Sequence, residues 1–200
     1  MYIDGSIRGY LDDLAARKPA PGGGSAAALG AAVGVSLMSM VANYTIGNSK
    51  YKDNEKAVAG ILLKAEKARI ELQDLIDEDV RAYEKLSKGI KEQGKNSAKL
   101  DEIYKEAAQP PLKVCETACQ SLKLCKDLAR YGNKNLVTDT AIAAILLEGA
   151  FFSAKFNVYI NLKYIKDTEY IGRIHSILSP LENEVAKLKE EILEMCEDAI

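Results

Sequence analysis

Asp79 stands where an apolar residue belongs. Ile61, Ala65, Ala68, Leu72, Leu75, Asp79, Tyr83 and Leu86 follow one another at spacings of three and four, which keeps their side chains on one face of a helix. An ionised carboxylate on such a core-facing stripe must find a hydrogen-bonded partner or hold its proton to a higher pH. The first case is an Asp paired with an Arg or with helix N–H groups. The second is the setting of a general acid or base. Asp139 poses the same choice: at the head of a helix it either complements exposed N–H groups or does chemistry. Its stripe continues through Ala143, Leu146, Ala150 and Ala154 to Asn157 and Asn161. Asp139 and Asn157 are five turns apart, about 27 Å along a straight helix. They share a face but not a pocket, so if both are functional they serve different ends of a site, different sites, or sites completed by a second subunit.

Gly22, Gly23, Gly24 and Ser25 lead into a helix whose first N–H groups could hold a carboxylate or an oxyanion; the competing reading is a flexible turn. The spaced glycines and Lys-Ser/Thr ending of a phosphate loop are missing. Ser36, Ser39 and Asn43 form a polar seam along the same helix, suited to helix-to-helix hydrogen bonds. Asn43, beside Thr45 and Lys50-Tyr51-Lys52, is the better ligand contact. Cys115, Cys119, Cys125 and Cys196 offer too few ligands for a metal site, and His175 is the only histidine. They read as buried free thiols, and His175 as a surface or packing residue.

Helices must position these groups. The pattern predicts one over about Ser6–Arg17, a break at Pro19–Gly24, and a second helix capped by Ser25 that stops near Gly47-Asn48. A long helix follows over about Asn54–Lys88, with a turn at Gly94–Asn96 and a shorter helix over about Ala98–Ala108. Pro110-Pro111 closes that helix and opens another, to about Tyr131. After Gly132-Asn133 come helices over about Thr138–Lys163 and from near Pro180 to the end. The expected fold is all-α: an antiparallel bundle of long helices around a central Ala/Gly-rich helix, one domain over residues 1–200. Ala26, Ala27, Ala28, Gly30, Ala31, Ala32 and Gly34 let neighbouring backbones approach closely, in a core or at a subunit interface.

Composition narrows the function. Of 200 residues, 48% are apolar and 28% charged, and the formal net charge is -2. That leaves no basic excess to hold a nucleic-acid backbone. The start lacks the basic and apolar runs of a secretory leader, so a cytoplasmic location is expected. Ser25–Met40 carries no charge, but it is built from Ala, Gly and Ser, and reads as a buried helix rather than a membrane span.

Four segments then agree in order with one family. Pro19-Ala20-Pro21-Gly22-Gly23-Gly24-Ser25, an Ala/Gly-rich helix and Met40-Val41-Ala42-Asn43-Tyr44-Thr45-Ile46-Gly47 resemble the signature of the formiminotetrahydrofolate cyclodeaminase / methenyltetrahydrofolate cyclohydrolase family. Asp77-Glu78-Asp79-Val80-Arg81-Ala82-Tyr83 resembles its Asp-x-Asp-x-x-Ala-aromatic stretch. Gly132-Asn133 with Thr138-Asp139 resembles its Gly-Asn and Ser-Asp pairs, with Thr for the usual Ser. Asn157-Val158-Tyr159-Ile160-Asn161-Leu162 resembles its Asn-rich stretch. The resemblance implies an all-α, usually dimeric enzyme acting on tetrahydrofolate that carries a one-carbon unit. Its reactions pass through a tetrahedral carbon between N5 and N10 and need proton transfer but no metal or redox cofactor. Asp79 is then the expected proton-transfer group and Asp139 the second candidate, as a base or a pterin anchor. Gly22–Ser25, Asn43, Tyr83, Asn133 and Asn157 are expected to orient the substrate, and Lys50, Lys52 and Lys134 to meet its glutamate tail. The alternative is a folate-binding or scaffolding bundle without catalysis.

Overall fold

A computed structural model describes residues 1–93 and 98–200; the turn expected at Gly94–Asn96 lies outside the described residues. The chain forms α1 (Ile7–Ala15), α2 (Gly23–Thr45), α3 (Glu55–Gln93), α4 (Ala98–Tyr131), α5 (Val137–Leu162) and α6 (Thr168–Glu197), with short 3-10 turns at Ser49–Asn54 and Lys134–Leu136. No strand occurs among the described residues. The bundle is all-α, as the periodicity predicts.

Successive long helices run antiparallel, and side-chain bonds mark the register. Between α3 and α4, Asn54 meets Tyr131, Glu71 meets Thr117, and Lys85 meets Glu106. Between α4 and α5, Cys125 meets Thr140, Cys115 meets Phe151, and Asn161 meets Ala107. Between α5 and α6, Glu148 meets Lys189, and Lys155 meets Glu182. The Ala/Gly-rich α2 packs against α3, α4 and α5, while α6 lies on α4 and α5. Ala28, Ala31, Val35, Met38 and Ala42 are fully buried along α2. A side chain such as Met38 or Phe151 stabilises the fold by roughly 1.5–3 kcal/mol through burial alone. The remaining side of α2 is open at Val33 and Tyr44. Helices α2 and α5 are each long and apolar enough to cross a membrane; here their inner faces supply much of the bundle core.

Three expected boundaries differ. The α2 N-cap is Gly22, which places Ser25 inside the first turn rather than at the cap. Helix α6 starts at Thr168, capped by Asp167, and runs through Pro180. Helix α4 runs through Pro110 and Pro111 as one unit, where a break was expected. A proline has no N–H to give the carbonyl four residues back, so Pro111 leaves that of Ala107 without its helical donor. Asn161 Nδ2 of α5 donates to Ala107 O at 3.3 Å, and this tertiary bond lets the helix continue. At the other end of α2, Gly47 adopts φ +77°, a left-handed conformation that glycine takes without strain after a helix end.

Candidate active site

Asp79 reaches the N-terminus of α2. Its Oδ2 accepts the Ser25 N–H at 2.8 Å, one of the orphan donors of the first turn. Among the described residues its Oδ1 accepts no hydrogen bond. The approach is close enough to need a glycine: a Cβ on Gly24 would lie 2.0 Å from Asp79 Oδ1. Burial pushes the Asp79 carboxyl above the usual carboxylate range, and the Ser25 N–H pulls it part of the way back. Asp77, two residues earlier, has a different task. It is buried, and its oxygens accept the N–H groups of Tyr2 at 2.7 Å and Ile3 at 3.2 Å. The first residues are thereby tied to α3, and Tyr10 meets the Ser25 hydroxyl at 3.2 Å.

Around Asp79 opens a cavity of about 490 Å³, a size suited to a small-molecule ligand. Gly22, Gly23 and Gly24 form one wall. Asp79, Val80, Tyr83, Leu86 and Ile90 come from α3, Tyr104 and Ala107 from α4, and Asn157, Ile160 and Asn161 from α5, with Tyr164 just beyond it. Tyr104 and Tyr164 stack with centroids 5.1 Å apart and planes at 18°, presenting aromatic surface to a flat ligand. Asn157 lies against Gly23, and its Nδ2 donates to Ser153 O at 2.9 Å. Asn161 Nδ2 donates to Asn157 O and Ala107 O. One carboxyl whose pKa burial raises, two amides and an aromatic pair are equipped to bind a planar heterocycle and move protons on it.

The structure therefore brings together Gly22, Gly23, Gly24, Asp79, Tyr83 and Asn157, with Ser25 directly beneath. It does not bring in Asn43, Lys50, Lys52, Asn133, Lys134 or Asp139. Asn43 is exposed near the far end of α2, about 30 Å from Gly23 at 1.5 Å per residue. Lys50 and Lys52 lie in the following 3-10 turn. Asn133 is buried, and its N–H donates to Thr45 Oγ1 at 2.9 Å while its Nδ2 donates to Tyr44 O at 3.2 Å. Lys134 Nζ donates to Ala129 O at 2.6 Å. Asp139 is half-buried in the first turn of α5, where a negative charge complements the helix N-terminus. Among the described residues no group of three or more His, Cys, Asp or Glu converges as metal ligands, and the four cysteines are free and buried.

Sequence reasoning singled out neither Tyr104 nor Tyr164. It placed Asn161 on a stripe without a task. The usable signal was Pro110-Pro111: a helix that passes through it needs an outside donor, and that donor borders the cavity.

The chain is similar to known proteins along nearly its whole length. The chain is 34% identical to a methenyltetrahydrofolate cyclohydrolase of Methylorubrum extorquens, with 94% of each chain covered. It is also 34% identical to the formimidoyltransferase-cyclodeaminase of Mus musculus, where 90% of this chain matches 34% of that longer protein. The crystal structure of the Thermotoga maritima formiminotetrahydrofolate cyclodeaminase superposes with a TM-score of 0.94 at 33% identity, covering 99% of this chain and 98% of the other. The family model for formiminotransferase-cyclodeaminase matches residues 6–179, and the chain belongs to that family.

Proposed function

We propose that the protein is a folate one-carbon enzyme of the cyclodeaminase or cyclohydrolase type, and that its cavity holds a tetrahydrofolate carrying a one-carbon unit at N5 or across N5 and N10. The observation that carries this reading is the partly desolvated Asp79 carboxyl at the head of α2, in the wall of an aromatic and amide-lined cavity.

Asp79 serves either reaction as a proton shuttle. In cyclodeamination N10 attacks the carbon of the protonated formimino group. The carboxylate takes the N10 proton and passes it to the departing amine, the carbon–nitrogen bond breaks, ammonia leaves, and the methenyl bridge remains. In hydrolysis the carboxylate takes a proton from the water that adds to the methenyl carbon and returns it to N5 as the N5–carbon bond breaks. The hydroxyl proton goes to solvent and the 10-formyl form results. A carboxyl with a raised pKa suits both halves of the cycle, because it holds the proton between donor and acceptor. Neither route changes an oxidation state, and acid–base catalysis needs no metal, so turnover should survive chelation. Asn157 and Asn161 orient the ring, and Tyr83, Tyr104 and Tyr164 supply its apolar contacts.

A second copy of the chain covers the open side of α2 and α5. Val33, Tyr44, Ile142, Ile145, Phe156 and Ile160 are exposed there, Phe156 to 70%, and α2 has no charged residue from Gly23 to Thr45. An uncharged apolar face of this kind marks an interaction surface and matches itself across a two-fold axis. Ile160 also lines the cavity, so the partner closes one edge of the site. Sedimentation that finds a monomer at every concentration refutes the dimer. The four buried thiols accord with a reducing, cytoplasmic setting.

The function is tested by methenyltetrahydrofolate absorbance with the purified protein. Enzyme-dependent loss identifies the cyclohydrolase. Appearance from 5-formiminotetrahydrofolate, with ammonia released, identifies the cyclodeaminase. A folded protein that is stabilised by folates but does neither is a binder without catalysis.

A further inference from the structure

The glutamate end of a folate is anionic, yet among the described residues no Lys, Arg or His lines the main cavity. Lys50, Lys52 and Lys134 lie beyond the opposite end of α2. A shallower pocket of about 210 Å³ shares two walls with the cavity, Pro19 and Tyr83, and is completed by Glu84, Ser87, Lys88 and Lys91. Its lining thus holds two cations against one anion. Among the described residues Lys91 makes no ion pair, and Lys88 makes only a long, exposed contact of 3.9 Å with Glu92.

Distance favours this pocket as well. Along α3, Lys88 and Lys91 stand about 14 and 18 Å from Asp79 at 1.5 Å per residue. An extended aminobenzoyl-glutamate chain places its carboxylates about 10–13 Å from the reacting carbon, counting bonds of roughly 1.3–1.5 Å. A lysine side chain bridges the difference.

Resting on the folate reading of the cavity, we propose that Lys88 and Lys91 form the subsite for the substrate's carboxylate tail, entered over Tyr83, with Glu84 limiting its affinity. Both lysines are exposed, so charge reversal leaves the fold intact.

The test measures kcat and KM on methenyl substrates carrying no glutamate, one glutamate or three, for the wild type, K88E/K91E and E84Q. The expected result for K88E/K91E is a KM about five- to tenfold higher on the glutamate-bearing substrates, with kcat retained and the glutamate-free substrate unaffected. The difference should narrow as salt is raised, and E84Q should shift KM the opposite way. An unchanged KM, or an equal change on all three substrates, overturns the tail subsite and leaves the Asp79 reading standing. A wild type that neither turns over these substrates nor is stabilised by them overturns the folate reading and the subsite together.

Discussion

The two ends of α2 are both polar and both rich in residues that look functional, yet they use their polar atoms differently. At the C-terminal end the chain consumes them. The Asn133 side chain donates to Tyr44 O and accepts from both Tyr51 Oη and the Asn135 N–H. Lys134 caps the carbonyl of Ala129. Donors meet the carbonyl-rich end of a helix, as the backbone there demands. At the N-terminal end an anion meets N–H groups, but one carboxylate oxygen, the side walls of two asparagines and a stacked aromatic pair are left facing a cavity. Polar residues whose bonds are all internal hold structure together. Those with bonding capacity left over at a cavity are placed to act on something else.

Replacing Asp79 tests this contrast most severely. Asp79→Asn keeps an acceptor for Ser25 and removes the proton shuttle, so turnover should fall about 10²–10⁴-fold. The fold should not suffer. An unfolded Asp titrates near about 3.9, and the native carboxyl titrates higher because of burial. Its contribution to stability is therefore greatest below the unfolded value and is lost as pH rises through the native one. At neutral pH the native state carries the cost of a desolvated carboxyl that asparagine lacks. The variant should then melt no lower than wild type there, with its relative advantage growing as pH rises from the acid side. Undiminished turnover, or a trend with pH of opposite sign, contradicts the role.

Gly24→Ala leaves the carboxylate in the sequence but not in its place. The new Cβ would fall 2.0 Å from Oδ1, and a displacement of about 1 Å at a catalytic group can cost up to roughly 10²-fold. The double variant with Asp79→Asn should be no slower than Asp79→Asn alone, because both changes disable one device. Gly23→Ala provides the contrast: its Cβ would lie 3.4 Å from Asn157 Nδ2, an ordinary contact, and turnover should change only a few-fold. Equal losses at the two glycines would dissolve the distinction.

Two asparagines then compare the ends directly. Asn161→Ala deprives the Ala107 carbonyl of its donor, and Asn133→Ala removes three side-chain bonds; each should cost about 1–3 kcal/mol of stability in denaturant titration. Only Asn161→Ala should also impair turnover per folded molecule. Impairment by Asn133→Ala would bring the far end of α2 into the site.

The all-α bundle was legible because Asp79, Tyr83 and Leu86 keep the helical period of their stripe, and because Gly22–Gly24 and Gly132 punctuate the chain. The N-terminal half of the site was legible for the same reason: Asp79 violates an otherwise apolar face. The placement of Tyr104 and Tyr164 was not, because their partnership joins α4 to the turn after α5, 60 residues apart in sequence, and each alone looks like core. The Pro110-Pro111 reading followed local propensity, which the tertiary bond from Asn161 overrode. The roles suggested for Asn43 and Asn133 came from amide chemistry alone. Sequence supplies an amide's capacity to bond, while only the fold reveals how much of it is already occupied.

The smallest effect expected is at Lys50 and Lys52. Both are exposed, and neither makes an ion pair among the described residues. K50E/K52E inverts the charge of the C-terminal end of α2 as K88E/K91E inverts that of the side pocket. The reversed charges lie about 30 Å from the cavity by helix rise, well beyond a screening length of about 8 Å at physiological salt. KM for a glutamate-bearing substrate should stay within about twofold of wild type, and stability within about 0.5 kcal/mol. The paired measurement separates local from global charge, because both variants change the net charge by the same amount. If K50E/K52E raised KM as far as K88E/K91E, the tail would be sensing the charge of the whole molecule, and the two ends of α2 would be electrostatically equivalent toward the substrate.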